Sequence, residues 1–266
     1  MTKRRLWLLT GLAVWAVLLG ALAVVSHRRD APTVREQRTL AQALPVVDEA
    51  VGRLLAGAGD DAVPVIVPRA IERGCRITPM REGATATGMI RFYTADGPGL
   101  LDRLGAALPP AYEATVTHRG TSHALDADAG EFVAVRGRIP ATGEVQVVVT
   151  TGCRPPDVAA GDLLPATAFD DEPGRVLTAL AATSVDPVTS AVVPCPTGGL
   201  AETATALGHG IAPAPPLATT LGTPPGTAEI INTPKVYAYR QPDGLAIAVI
   251  PGPASGDAQV SVTRAC

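Results

Sequence analysis

The second half of this chain repeats a segment of the first half, and each copy ends at a cysteine. Residues 132–153 (FVAVRGRIPATGEVQVVVTTGC) align without a gap with residues 245–266 (LAIAVIPGPASGDAQVSVTRAC). The aligned pairs include Pro140/Pro253, Gly143/Gly256 and Gln146/Gln259. Self-similarity at a fixed spacing is typical of a duplicated structural module. Because both copies keep these residues, we expect them to serve the shared fold and expect activity where the halves differ.

The cysteines fit the same duplication. The chain has four, at Cys75, Cys153, Cys195 and Cys266, and four cysteines allow three pairings. The repeat favours Cys75–Cys153 and Cys195–Cys266, one bridge per module; four buried free thiols are the alternative. Each bridge would close a long loop, worth about 4 kcal/mol in the chain-entropy model. No C-x-x-C pair is present, so a cysteine zinc site is not expected.

The N-terminal segment predicts export. Residues 6–25 form an uncharged apolar run with basic residues on both sides. At about 1.5 Å per residue, such a helix spans a hydrocarbon core of roughly 30 Å. We expect a single-pass anchor within residues 1–29, with a cytoplasmic N-terminus and an extracytoplasmic C-terminal region. The alternative is secretion after cleavage of a signal peptide near Ala23. Disulfides also favour an oxidising compartment.

Charge and motif content narrow the function classes. Residues 1–29 hold five of the 22 Lys and Arg and none of the 25 Asp and Glu, which leaves a net charge of −8 on residues 30–266. An acidic exported domain is a poor candidate for binding nucleic acid or anionic lipid. Phosphate-binding glycine loops and nucleophile motifs are absent from the sequence. The sequence therefore predicts no nucleic-acid partner and no cofactor, and favours a non-enzymatic protein.

The apolar patterns predict an α+β fold with mainly antiparallel sheets and helices on one face. After the anchor (1–29), an amphipathic helix within 30–58 is either a stalk or an ordinary core helix. Module 1 is expected over 59–153, a linker over 154–168, and module 2 over 169–266. A further helix is expected over 199–207. The proline-rich segment 211–227 is expected to be an exposed loop.

One cluster carries ligands that suit a divalent metal ion: His118, His123, Asp126 and Asp128. Three functions follow from the sequence. The leading hypothesis is a membrane-anchored binding or assembly accessory of the bacterial cell envelope, which contacts a protein or envelope partner through the proline-rich loop or a cleft between the modules. The second is a metal-binding protein or metal-dependent hydrolase using the histidine cluster. The third is a passive structural envelope protein.

Overall fold

The computed structural model describes residues 3–29, 35, 38–157, 171–211 and 226–266. Its α-helices are α1 (Lys3–Arg29), α2 (Leu40–Gly57), α3 (Gly97–Ala107) and α4 (Asp171–Ala179). Its strands are β1 (Val63–Thr78), β2 (Arg81–Tyr93), β3 (Thr115–Arg119), β4 (Ser122–Asp128), β5 (Ala134–Ala141), β6 (Glu144–Thr150), β7 (Ser184–Val185), β8 (Thr189–Pro194), β9 (Leu200–His209), β10 (Ala228–Thr233), β11 (Val236–Arg240), β12 (Ala246–Pro251) and β13 (Ala258–Arg264). No helix within these ranges has both the length and the apolar character needed to cross a membrane.

The strands form two antiparallel sheets, which confirms the predicted α+β fold. Sheet A has the order β1-β2-β6-β5-β4-β3. Sheet B has the order β10-β11-β12-β13-β9-β7. Strand β8 also pairs with β9, on the same edge as β7 but further along the strand. Followed from β8, sheet B has the order β8-β9-β13-β12-β11-β10, the same topology as sheet A. The sequence duplication is therefore also a duplication of fold.

The matched glycines explain why the two copies keep the same hairpin. Gly143 and Gly256 both have φ of +85°, a conformation that glycine adopts without the steric cost of a Cβ atom. The carbonyl of Gly143 accepts a hydrogen bond from the Thr94 N–H (3.2 Å), and the carbonyl of Gly256 accepts one from the Ile211 N–H (2.8 Å). Each turn is thus fastened to the end of the equivalent strand, β2 or β9.

The two disulfides are Cys75–Cys153 and Cys195–Cys266, with Cα–Cα distances of 5.9 and 5.4 Å. These are the pairs that the repeat predicts. The bridge of module 1 joins β1 to the residues that follow β6, and the bridge of module 2 joins the residue that follows β8 to the residues that follow β13. Because the intervening strand, β2 or β9, lies between these two, each bridge fixes an edge strand across its neighbour.

Helix α2 is a core helix and not a stalk. Thr39 caps it: its side chain accepts from the Gln42 N–H, and the Gln42 side chain accepts from the Thr39 N–H. The apolar face includes Val47, Val51 and Leu54, all buried. This face packs against β2, β6 and α3 of module 1 and also against β8 of module 2.

The predicted linker begins with ordered structure. Arg154 is fully buried, and it exchanges backbone hydrogen bonds of 2.9 Å with Ala84. Asp157 accepts a hydrogen bond from the Ala41 N–H at 2.9 Å, so it completes the cap of α2. Desolvation raises the pKa of its carboxyl group, but hydrogen bonds with the Thr39 side chain and with backbone N–H groups outweigh this effect and lower the pKa. Residues 154–157 therefore belong to module 1, and residues 158–168 lie outside the described residues.

Module 2 has a core of its own between α4 and one face of sheet B, but the two modules also share apolar clusters. Ala191, Val193 and Ala201 of module 2 join the core of module 1. A second cluster combines residues of β1 and β2 with residues of β10–β12: Val63, Val65, Tyr93, Ile231, Val236, Ala238, Ala246 and Ala248. Arg240 of β11 adds a polar link, since its guanidinium donates to the carbonyls of Gly59, Asp60 and Ala62 at 2.7–3.1 Å. These carbonyls follow the C-terminus of α2, where cations are favoured.

The prediction of a helix over 199–207 is wrong. Residues 200–207 lie in β9, between β8 and β13. Ala204 and Ala206 are buried there. The helix propensity of this Ala- and Thr-rich segment is overridden by its central place in sheet B.

The hydrogen bonds of Arg240 to the carbonyls after α2 link the two modules, and mutation of Arg240 tests their contribution to stability. We expect Arg240→Ala to lower the free energy of unfolding by about 2 kcal/mol, because three carbonyls lose a charged donor. Arg175→Ala is the matched control. The Arg175 side chain forms an ion pair with Glu172 but is 72% exposed, so we expect this variant to lose about 0.5 kcal/mol or less of unfolding free energy. Urea denaturation measures both. Equal losses in the two variants would contradict a structural role for Arg240.

Candidate functional site

A small groove, with a cavity volume of about 40 Å³, lies between the two modules. One wall is residues 66–69 of β1, and the other is residues 190–193 of β8. The floor is α2, through Val47 and Val51. The walls therefore come from different sheets and different halves of the chain, and the lining is mainly apolar.

The groove contains one ion pair. Arg69 of β1 donates to Asp48 of α2 at 2.6 Å, with side chains that are 13% and 21% exposed. Burial raises the pKa of Asp48, an effect that exceeds the lowering by Arg69. Asp48 also borders a neighbouring depression of about 390 Å³ that extends to Cys195. The polar groups thus lie where the two depressions meet.

Both walls are edge strands. In the part of the chain that the structure describes, β1 pairs only with β2, and β8 pairs only with β9. The edge of β1 is poorly suited to a further strand: its register shifts between Val67 and Ala70, and Pro68 has no N–H. Strand β8 is regular from Thr189 to Val193 and reaches proline only at Pro194.

The direction of the β8 backbone groups follows from its hairpin. Cys195 N–H donates to Gly199 O at 3.1 Å, so these residues form a hydrogen-bonded pair. Hydrogen-bonded and non-hydrogen-bonded pairs alternate in antiparallel ladders. The pair Val192/Glu202, three positions further on, is therefore of the other type. The N–H and C=O of Val192 point away from β9 and towards the groove.

The histidine cluster is only partly assembled. His118 and His123 are cross-strand partners in the β3–β4 hairpin, and their Nδ1 atoms are 2.6 Å apart. His118 Nε2 lies 3.0 Å from Oδ1 of Asp102 on α3. If both rings are neutral, His118 Nε2–H donates to Asp102, so His118 Nδ1 accepts from His123 Nδ1–H. In this arrangement the proton of His123 Nδ1–H lies between the two Nδ1 atoms.

Asp126 and Asp128 do not join the histidines. Alternation along β4 puts them on the face of the strand opposite to His123, and Asp128 accepts from the Gly130 N–H at 2.9 Å. No group of three or more His, Cys, Asp or Glu residues among those described could hold a metal ion. Metal binding by His118 and His123 therefore stays a prediction without a completed ligand set. Asp102 had no sequence signal, since tertiary packing of α3 brings it there.

His209 forms a second charged cluster, at the end of β9. Its Nδ1 lies 3.0 Å from Asp257, in the turn before β13, and its Nε2 lies 3.3 Å from Asp186, between β7 and β8. Hydrogen bonds to Asp257 and then to Asp186 raise the pKa of His209 above its ordinary value of 6.5. The imidazole therefore links three segments of module 2.

Comparisons with known proteins give one structural likeness. The crystal structure of a DUF4853 family protein from Actinomyces odontolyticus matches with a TM-score of 0.39 and 14% identity, covering 66% of this chain and 96% of that one. No family model matches the chain. No curated protein matches it in sequence.

The His209 cluster predicts a pH-dependent stability. Because its folded-state pKa is raised, its contribution is fully present below about pH 6.5, the unfolded value, and is lost as the pH rises through the folded-state pKa. The difference in unfolding free energy between the wild type and His209→Gln should therefore shrink as the pH rises above about 6.5. Denaturation curves across this range measure it. A difference that is constant or grows with pH would contradict the assignment.

Proposed function

We propose that this chain is a non-enzymatic, extracytoplasmic binding protein that takes an extended segment of a protein partner into the groove between its modules. The observation that carries this proposal is the edge of β8 at Val192, which pairs with no further strand among the described residues and forms one wall of an apolar groove with the Asp48–Arg69 ion pair beside it. Addition of a strand to a sheet edge is a common mode of peptide recognition.

The groove suggests the chemistry of the partner segment. Backbone groups of an extended segment would pair with Val192, independently of the sequence of the segment. Successive side chains of a strand point to opposite faces, so alternate residues would face α2 and meet Val47, Val51 and Ile66. A basic residue nearby would meet Asp48 and Glu49, which border the adjoining depression. We therefore expect a segment with alternating apolar residues and one cationic side chain.

Export is supported by two features. Two disulfides suit an oxidising compartment. The apolar residues 6–25 lie within α1, where Trp7, Leu12 and Trp15 are 66–80% exposed, so the rest of the described protein does not cover them. We propose that this segment directs export and attaches the protein to the cell membrane. N-terminal sequencing of the mature protein distinguishes a retained anchor, which begins before residue 6, from cleavage near Ala23.

The two other hypotheses have less support. A metal-dependent function would rest on His118 and His123 without Asp126 or Asp128, because the two aspartates lie on the other face of β4. A passive envelope protein would not require the groove. Metal analysis of the purified protein tests the first, with a His118→Ala/His123→Ala variant as its control. The binding experiment described next tests the second.

The strand-addition proposal makes a prediction about one N–H group. Peptides selected from a displayed random library on the full-length protein in detergent should carry alternating apolar residues. Val192→Pro should weaken their binding by about tenfold, the equivalent of one lost hydrogen bond. This proline removes an N–H that is not bonded to β9, so the fold should tolerate it. Val192→Thr keeps both the N–H and the β-branched shape, and it should bind as the wild type does.

Two results would contradict the proposal. If no peptide is enriched, the groove does not take extended segments. If peptides are enriched but bind equally to the Val192→Pro variant, recognition occurs elsewhere. Circular dichroism of the Val192→Pro variant confirms that any loss of binding is not a loss of fold.

A further inference from the structure

The β1–β2 hairpin extends beyond the other strands of sheet A. Strand β2 pairs with β6 only from Thr87 onwards, so the hairpin residues before it lie outside the six-stranded part of the sheet. We call residues 76–82 the hairpin tip. Met80 at the turn is 96% exposed, and Arg76 donates to the Pro79 carbonyl at 3.0 Å. The tip is therefore an ordered turn that presents an apolar side chain to its surroundings.

The hairpin differs in charge from the rest of the domain. Residues 69–82 contain four arginines and two glutamates, a net charge of +2. The remainder of residues 30–266 has 13 basic and 23 acidic residues, a net charge of −10. Arg69 is engaged by Asp48, but Arg76 and Arg81 lie within the tip and are exposed. Two cationic side chains and one acidic side chain, that of Glu82, thus lie near the exposed methionine, which gives the tip a net charge of +1 on an otherwise acidic protein.

Chain connectivity puts the hairpin tip at the end of the domain that faces α1. Helix α1 ends at Arg29, and Arg35 lies against Gly152, within 3.0 Å of the position that a Cβ atom would take. Six residues span at most about 22 Å. Gly152 adjoins Cys153, which is bonded to Cys75, and Cys75 directly precedes the tip. The start of α2 lies at the same end, since Leu40 packs on Ala84 and Ala86.

From these observations we infer that the hairpin tip docks onto an anionic phospholipid surface. Met80 enters the interfacial region, and Arg76 and Arg81 pair with phosphate groups of the lipids. The Cys75–Cys153 bridge holds the hairpin in place before contact, so little conformational entropy is lost on docking. This inference rests on the proposed attachment of residues 6–25 to the membrane. Docking would fix the orientation of the groove relative to the membrane.

The hairpin tip carries its own chemical probe. Hydrogen peroxide converts an accessible methionine to its sulfoxide. Full-length protein is reconstituted into nanodiscs of phosphatidylcholine alone or mixed with phosphatidylglycerol, and peptide mass spectrometry measures the oxidation rate of Met80. Met89 of β2 lines the groove between the modules, away from the tip, and serves as the internal control. We expect Met80 to oxidise several-fold more slowly in the phosphatidylglycerol nanodiscs, and Met89 to oxidise equally in both.

Matched variants test the charge dependence. Arg76→Gln/Arg81→Gln should weaken docking by about fivefold per arginine removed and restore rapid oxidation of Met80. Arg119→Gln/Arg136→Gln removes the same charge from exposed sites on β3 and β5, and it should leave the protection intact. About 1 M salt, with a Debye length near 3 Å, should also abolish it.

The outcomes separate this inference from the proposed function. If the protein incorporates into nanodiscs but Met80 oxidises at the same rate in both lipids, the docking inference is wrong. The proposed membrane attachment of residues 6–25 is then still supported. Protection that survives Arg76→Gln/Arg81→Gln also overturns it, because the contact would then not be electrostatic. Failure of the wild type to incorporate overturns both.

Discussion

The closest approach of α2 to β8 determines how the two halves of this protein meet. A Cβ atom on Gly52 would lie 2.2 Å from the Pro194 carbonyl oxygen, so only glycine allows this distance. The contact brings α2 onto the end of β8, beside the Cys195–Cys266 bridge. The shared cores and the position of Arg240 depend on it. The groove depends on it as well, because α2 forms the floor while β1 and β8 form the walls.

Duplication produced two sheets of the same topology, but their helices differ, and the difference creates a single groove. Helix α2 has 18 residues and contacts both modules, whereas α4, at the equivalent place in module 2, has nine. Helix α4 packs on β9 and β13 of its own sheet. The residues that both copies keep, such as Gly143 and Gly256, serve turns. The candidate site consists of residues without a matched partner, among them Asp48 and Arg69.

Local and repeated features of this fold could be predicted from the sequence, and long-range ones could not. The ungapped repeat predicted the cysteine pairs and the hairpins. The spacing of apolar residues predicted α2, but a periodic apolar face does not say how many partners cover it, so its burial against both modules was missed. The helix expected over 199–207 was wrong because the neighbours of β9 outweigh its propensity. His118 and His123 meet because a hairpin turn separates them. Asp102 joins them only through the packing of α3, and no local pattern reports that contact.

The central claim is that the two modules form one cooperative unit around α2. Differential scanning calorimetry of the full-length protein in detergent tests it directly, because a cooperative unit unfolds in one transition whose van't Hoff and calorimetric enthalpies are equal. We predict a single transition of this kind. Two separate transitions, or a van't Hoff enthalpy near half the calorimetric value, would show that the modules unfold independently and would contradict the account.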